Sequence, residues 1–199
     1  MSSIKFIVEG KTDSLFIRAF LKHHFDKDIP DSTFIKVGGC TKELLAEDKV
    51  LDLIKKNSEK EDGINILIFD ADQTNFTTTK QNLESWKKEL NINYEIFLFP
   101  NNKDKGNLET ILLNIANLKN DKNKVLECFE NYKSCITKLN KGFSLPDEHA
   151  KFFAFEEAVL SRTKYKDLCN KIDKYLEKEV YDIGSDYLND LKDFLKSYF

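Results

Sequence analysis

The sequence predicts an α/β protein, with a parallel four-stranded sheet flanked by helices and a helical extension after it. Three observations carry that expectation. Residues 4–9 (IKFIVE), 64–70 (INILIFD) and 94–100 (YEIFLFP) are short, nearly continuous runs of β-branched and aromatic residues bounded by charge, Gly or Pro, as in strands buried on both faces. Helical patterns at about residues 13–25, 42–56 and 79–90 alternate with them. Beyond Asn107 the apolar spacing is helical only.

In chain order, the first strand closes on Glu9 and passes through Gly10 into the first helix. A weaker strand over 33–37 is closed by Gly38 and Gly39, and the helix over 42–56 leads to the strand over 64–70. The helix over 79–90 then leads to the strand over 94–100. This βαβαβαβ order argues for a parallel sheet with right-handed crossovers. Leu108, Ile111, Leu112 and Ile115 repeat at helical spacing, as do Leu188, Leu191, Leu195 and Tyr198 near the end. The polar run 117–124 (NLKNDKNK) reads as a connector, which divides the chain into an α/β unit over residues 1–117 and a helical extension over 118–199 packed on it.

A chain of 199 residues suits one compact unit with an appendage, and 16 Phe supply side-chain volume for a core. The net charge of -3 sets no general field toward nucleic acid or an anionic membrane, so any polyanion site must be local. Lys103, Lys105, Lys119, Lys122 and Lys124 are the local candidates for phosphate contact. No apolar run approaches the roughly 20 residues that span a bilayer, so the expectation is a cytoplasmic protein with no membrane partner. Cys40, Cys128, Cys135 and Cys169 show no CxxC spacing, which argues against a zinc site. Cys128 and Cys135 read as reduced packing residues on one helix face.

The residues suited to chemistry collect at the strand ends, where an open parallel sheet forms its ligand crevice. Glu9 and Asp13 follow the first strand, and Asp70 and Asp72 close the third. Pro100, Asn101 and Asn102 end the fourth, and the loop runs through Gly106 to Glu109 in a first helical turn. Carboxylates converging on one edge repel one another, and a divalent cation removes that penalty. Asp70 and Asp72 stand two apart in an extended segment and so point to one side, toward a shared ion. Asp13 and Glu109 equally suit the positive ends of their helices.

Val8-Glu9-Gly10-Lys11-Thr12-Asp13 resembles the first motif of the Toprim domain, and Ile68-Phe69-Asp70-Ala71-Asp72 resembles its DxD strand. That domain is shared by topoisomerases, bacterial primases, recombination proteins and the OLD family of nucleases. The resemblance implies a Toprim or Rossmann-like fold, with Glu9 as general acid or base or metal ligand and with Asp70 and Asp72 holding Mg²⁺ or Mn²⁺. The OLD-type branch adds an Asp after the Glu, a Gly-x-x-Glu and a downstream Lys. Asp13, Gly106-Asn107-Leu108-Glu109 and Lys151 stand in that order here. Asp13 and Glu109 would then be further ligands and Lys151 a catalytic residue, with Gly10, Lys11, Asn101 and Gly106 as phosphate-binding or loop positions.

In size and layout the chain is also similar to a bacterial family of stand-alone Toprim-like proteins of unknown function. The implied activity is metal-dependent phosphodiester hydrolysis of DNA or RNA, in a defence or repair role. OLD proteins place an ATPase ahead of the site, and this sequence shows none there, so the expectation is that energy-coupled cleavage would depend on a partner ATPase.

Two other readings compete. Asp70-Ala71-Asp72-Gln73-Thr74 also fits the haloacid-dehalogenase phosphatase signature, with Asp70 as nucleophile. The same scaffold could instead be a non-catalytic module that binds nucleic acid or protein. Gly10-Lys11-Thr12 does not end a phosphate-binding P-loop, because Lys5 stands where the first Gly is required.

Overall fold

The computed structural model describes residues 3–71, 76–139 and 142–199. Four strands, β1 (Ser3–Val8), β2 (Phe34–Lys36), β3 (Gly63–Asp70) and β4 (Glu95–Phe99), form one parallel sheet in the order β2-β1-β3-β4. Val8 stands opposite both Lys36 and Ile68, and Asp70 opposite Phe99, so the carboxyl ends of the four strands finish close together. The chain reverses direction across the sheet between β1 and β3. That reversal is the switch point at which doubly wound sheets open a crevice.

Alternation along each strand assigns the two faces. Phe6, Val8, Ile66, Ile68, Phe97 and Phe99 enter one core with α1 (Lys11–Phe25) and α5 (Leu108–Asn114). Ile7, Leu67, Phe69, Ile96 and Leu98 enter the other, against α2 (Lys42–Leu45), α3 (Asp48–Ser58) and α4 (Phe76–Glu89). Burial on both sides explains why the strands read as continuous apolar runs.

The amino edge is closed by amides. Asn65 donates to the carbonyls of Ile54 and Asn93, and Asn57 donates to those of Ser3 and Ile64. Polar groups there are consumed by structure, which leaves the carboxyl edge as the place for chemistry.

The expected helix over 42–56 is two helices. Thr41 caps α2 by accepting the Leu44 N–H, and Glu47 adopts an extended ψ of 130° before α3 begins. Neither Gly nor Pro marks that break, so periodicity runs through it. After α5 come α6 (Lys122–Lys138), α7 (Glu148–Leu160), α8 (Arg162–Leu168), α9 (Asp173–Leu176) and α10 (Asn189–Lys196). Phe152, Phe155, Tyr175, Val180, Tyr181, Leu188, Leu191 and Leu195 from this stretch lie in the same core as α1 and the sheet. Ala116 and Tyr181 form an antiparallel bridge. Residues 118–199 thus supply part of the cover for one sheet face.

Cys128 and Cys135 are free, as expected, but both are exposed on α6 and do not pack. No described helix is long and apolar enough to cross a membrane.

Candidate functional site

The crevice past β1 and β3 is a cavity of about 280 Å³ lined by Glu9, Gly10, Thr12, Asp13, Gly38, Asp70, Leu108 and Glu109. Each acid reaches it by local chemistry. Glu9 follows the last residue of β1, and its Oε1 accepts the backbone N–H of Asp70 at 3.0 Å, which ties the ends of β1 and β3 together. Its backbone carbonyl accepts the N–H of Gly38, bringing the loop after β2 to the same rim.

Asp13, in the first turn of α1, accepts the Gly10 N–H at 2.7 Å and so fixes the turn from strand to helix. This is the capping role that the sequence allowed, and it places the carboxylate in the cavity as well. Asp70 Oδ1 accepts the Leu108 N–H at 3.1 Å, which docks the first turn of α5 on the end of β3. Asn107 caps α5 by accepting the Thr110 N–H, and Glu109 follows in that first turn.

The acids act on one another. Asp70 is pushed up to about 8, first by burial and then by the charges of Glu9, Asp13 and Glu109. Asp13 is raised to about 6 by burial, with Glu109 adding to it against the Gly10 hydrogen bond. Raised carboxyl values are the expected result when acids share a half-buried site. The donor set is all oxygen, which suits a hard cation such as Mg²⁺ or Mn²⁺. Among the described residues no three His, Cys, Asp or Glu side chains are grouped closely enough to hold an ion by themselves. Mg²⁺ is commonly held by one or two carboxylates, with water and substrate phosphate completing the shell, so the chemistry of the set still fits.

The chain matches the family model described as a protein of unknown function (DUF3226) over residues 3–199. It belongs to the DUF3226 family. No curated protein and no solved structure matches it. The description of DUF3226 names no activity, so the role of the cavity is argued from its residues.

Glu9, Asp13, Asp70, Glu109 and Gly10 meet at the cavity in this DUF3226 chain. Asp72 lies outside the described residues. Lys151 is not brought to the cavity: its ammonium lies 2.6 Å from Glu130 of α6 and 3.8 Å from Glu148, as a partly buried tie between α6 and α7. Its place in the motif order carried no information about direction, because it stands on a helix whose neighbours are acidic.

Lys11 donates to Asn170 at 2.9 Å. Asn101 accepts the N–H groups of Lys103 and Asp104, a turn within its own loop. Gly106 has φ +146°, and a Cβ there would stand 2.9 Å from Thr110 Oγ1, so it is needed for the approach to α5. Of the lysines considered for phosphate contact, Lys103 pairs with Asp190, Lys124 pairs with Asp121, and Lys122 donates to the Glu179 carbonyl.

One residue at this rim had no sequence signal. His149, at the start of α7, stands with Nδ1 2.9 Å from Glu109 Oε1. Forty residues separate the two, and neither belongs to a spacing that would join them.

Proposed function

We propose that the carboxyl-edge cavity binds a divalent cation and hydrolyses phosphodiester bonds, with DNA or RNA as the substrate class. The observation that carries the reading is that Glu9, Asp13, Asp70 and Glu109 line one cavity at the switch point of a doubly wound sheet, where burial and neighbouring carboxylates push Asp13 and Asp70 up. Such a cluster costs stability unless a cation joins it.

Glu9, Asp70 and Asp72 would hold the ion, with Asp13 and Glu109 around it. Bound there, a divalent cation would polarise the phosphodiester and favour an attacking hydroxide. The protein's part is placement. The Glu9 hydrogen bond to the backbone of Asp70 keeps the two strand ends in register and leaves Glu9 at the rim to hold or move a proton at the attacking water. Leu108 orients Asp70 through Oδ1, and Asp13 shapes the turn that brings Gly10 to the rim.

The test is cleavage of single- and double-stranded DNA and RNA by the wild type and by Asp70→Asn, with Mg²⁺, with Mn²⁺ and with EDTA. Cleavage that needs the cation and disappears in the variant is the expected result. Binding of any of these substrates with no cleavage under all conditions would overturn the hydrolase and favour the non-catalytic module.

A further inference from the structure

The carboxylates of the cavity come from the first 109 residues, yet the helical extension touches its rim three times. Asn170 accepts from Lys11, Tyr175 donates its hydroxyl to the Thr12 carbonyl at 3.4 Å, and His149 meets Glu109. The last contact differs from the others because it falls on a functional group and not on a loop or a backbone atom.

A carboxylate oxygen accepts, so the form of His149 that makes this hydrogen bond is the one with its proton on Nδ1. The imidazole also meets the ring of Phe153 edge-on, with centroids 4.5 Å apart. Its helix is fixed at the start by Asp147, which accepts the Ala150 N–H, and further along by the buried Glu156, which is bonded to Lys174 and Tyr181. The Glu109 side chain is mostly buried whereas His149 is largely exposed. The hydrogen bond thus reaches inward from a surface imidazole on a supported helix to a carboxylate in the cavity.

We propose that His149 is a positioning residue for Glu109: the helical extension delivers the Nδ1–H that sets the orientation of this carboxylate in the cation-binding cluster. The site is then completed by residues 118–199, and the extension is part of the working centre. This rests on the reading of the cavity as a cation site.

Mn²⁺ alone is the probe, with binding measured by titration calorimetry on the full chain and folding checked by circular dichroism. His149→Ala should weaken Mn²⁺ about tenfold, the usual scale for losing a partner of a ligand. His149→Asn, whose amide N–H can stand where Nδ1 stood, should restore binding to within about threefold of wild type. Glu109→Gln should weaken it at least as much as His149→Ala, and adding His149→Ala to Glu109→Gln should change nothing more. Wild-type affinity in His149→Ala, while Asp70→Asn loses Mn²⁺, overturns the positioning role and leaves the cation site standing. His149→Asn as weak as His149→Ala overturns it too. No Mn²⁺ binding by the wild type overturns the reading of the cavity and this inference together.

Discussion

One buried acid lies in the helical half and a group of half-buried acids lies at the carboxyl edge of the sheet, and the protein treats them differently. In the helical half, Glu156 is completely buried; its Oε1 stands 3.1 Å from Lys174 Nζ and accepts the Tyr181 hydroxyl at 2.6 Å. Burial raises its pKa, and Lys174 and Tyr181 oppose that rise. Lys174 also lies over the rings of Tyr175 and Phe152, at 4.6 and 5.3 Å from their centroids. At the carboxyl edge of the sheet, the charges that act most on Asp70 are three other carboxylates, and only a backbone N–H opposes them. The first arrangement carries its own cation. In the second the groups that raise Asp70 are carboxylates, and under the function proposed above a divalent cation would compensate them.

The strongest way to break the comparison is to strip the first site of its cation. Lys174→Ala leaves Glu156 buried and unpaired, and is expected to cost about 3–5 kcal/mol. In thermal melts that is a fall of roughly 10 °C for a chain of this size. A melting temperature equal to wild type would mean that Glu156 is already neutral and that the pair is not what holds α7 to α9.

The second site should answer to pH in the opposite sense from an ordinary paired carboxylate. Both folded values, about 6 for Asp13 and about 8 for Asp70, lie above the ordinary value of 3.8. The fold therefore favours the protonated form of each. Their contribution is fully present below about pH 4 and is lost as pH rises through the folded values. In EDTA the wild type should lose about 2 kcal/mol between pH 4 and pH 8 from these groups, allowing for water at the cavity mouth. Asp70→Asn should flatten most of that slope, whereas an equal slope in the variant would remove Asp70 as its source.

Gly106 sharpens the comparison by linking backbone geometry to the site. Gly106→Ala, at φ +146° and with Thr110 in the way, is expected to cost about 1–3 kcal/mol and to weaken Mn²⁺ binding, because α5 carries the Leu108 N–H that holds Asp70. Gly10→Ala should cost under about 1 kcal/mol, since its backbone is extended and the nearest atom to a Cβ is 3.6 Å away. Equal losses at the two positions would contradict this account of the loop. Smallest of all, Lys103→Ala removes a surface pair with Asp190 and should change stability by less than about 1 kcal/mol. If Lys103 tracks phosphate on duplex DNA, the same variant lowers the log–log salt slope of binding by about 0.9; an unchanged slope removes it from the contact.

How much of this was legible in the sequence follows from what each feature depends on. The strands were, because burial on both faces leaves an uninterrupted apolar run, as in Ile66 to Phe69. Glu9, Asp13 and Asp70 were, because a residue that closes a strand or opens the next helix inherits its location from the sheet. The break at Glu47 was not, since a Thr cap and an extended ψ leave helical periodicity intact. Lys151 and His149 sit two positions apart on α7, yet only His149 meets a cavity residue, while Lys151 turns to Glu130. Which side of α7 faces α5 is decided by the packing of Phe152 and Phe155 into the shared core, and no local spacing encodes that. The exposure of Cys128 and Cys135 follows from the same cause, as no residue of α6 is buried.

The central claim is that the carboxyl-edge acids form a cluster awaiting a cation, and it is tested most directly by melting wild type and Asp70→Asn at pH 8.5 in EDTA and in excess Mg²⁺. The account predicts that the variant is the more stable of the two in EDTA, by roughly 3–6 °C, because one repelling charge is gone while the amide oxygen can still accept from Leu108. It also predicts that Mg²⁺ raises the melting temperature of the wild type clearly more than that of the variant. A variant less stable than wild type in EDTA, with an unchanged response to Mg²⁺, would make Asp70 a structural cap for α5 and contradict the claim.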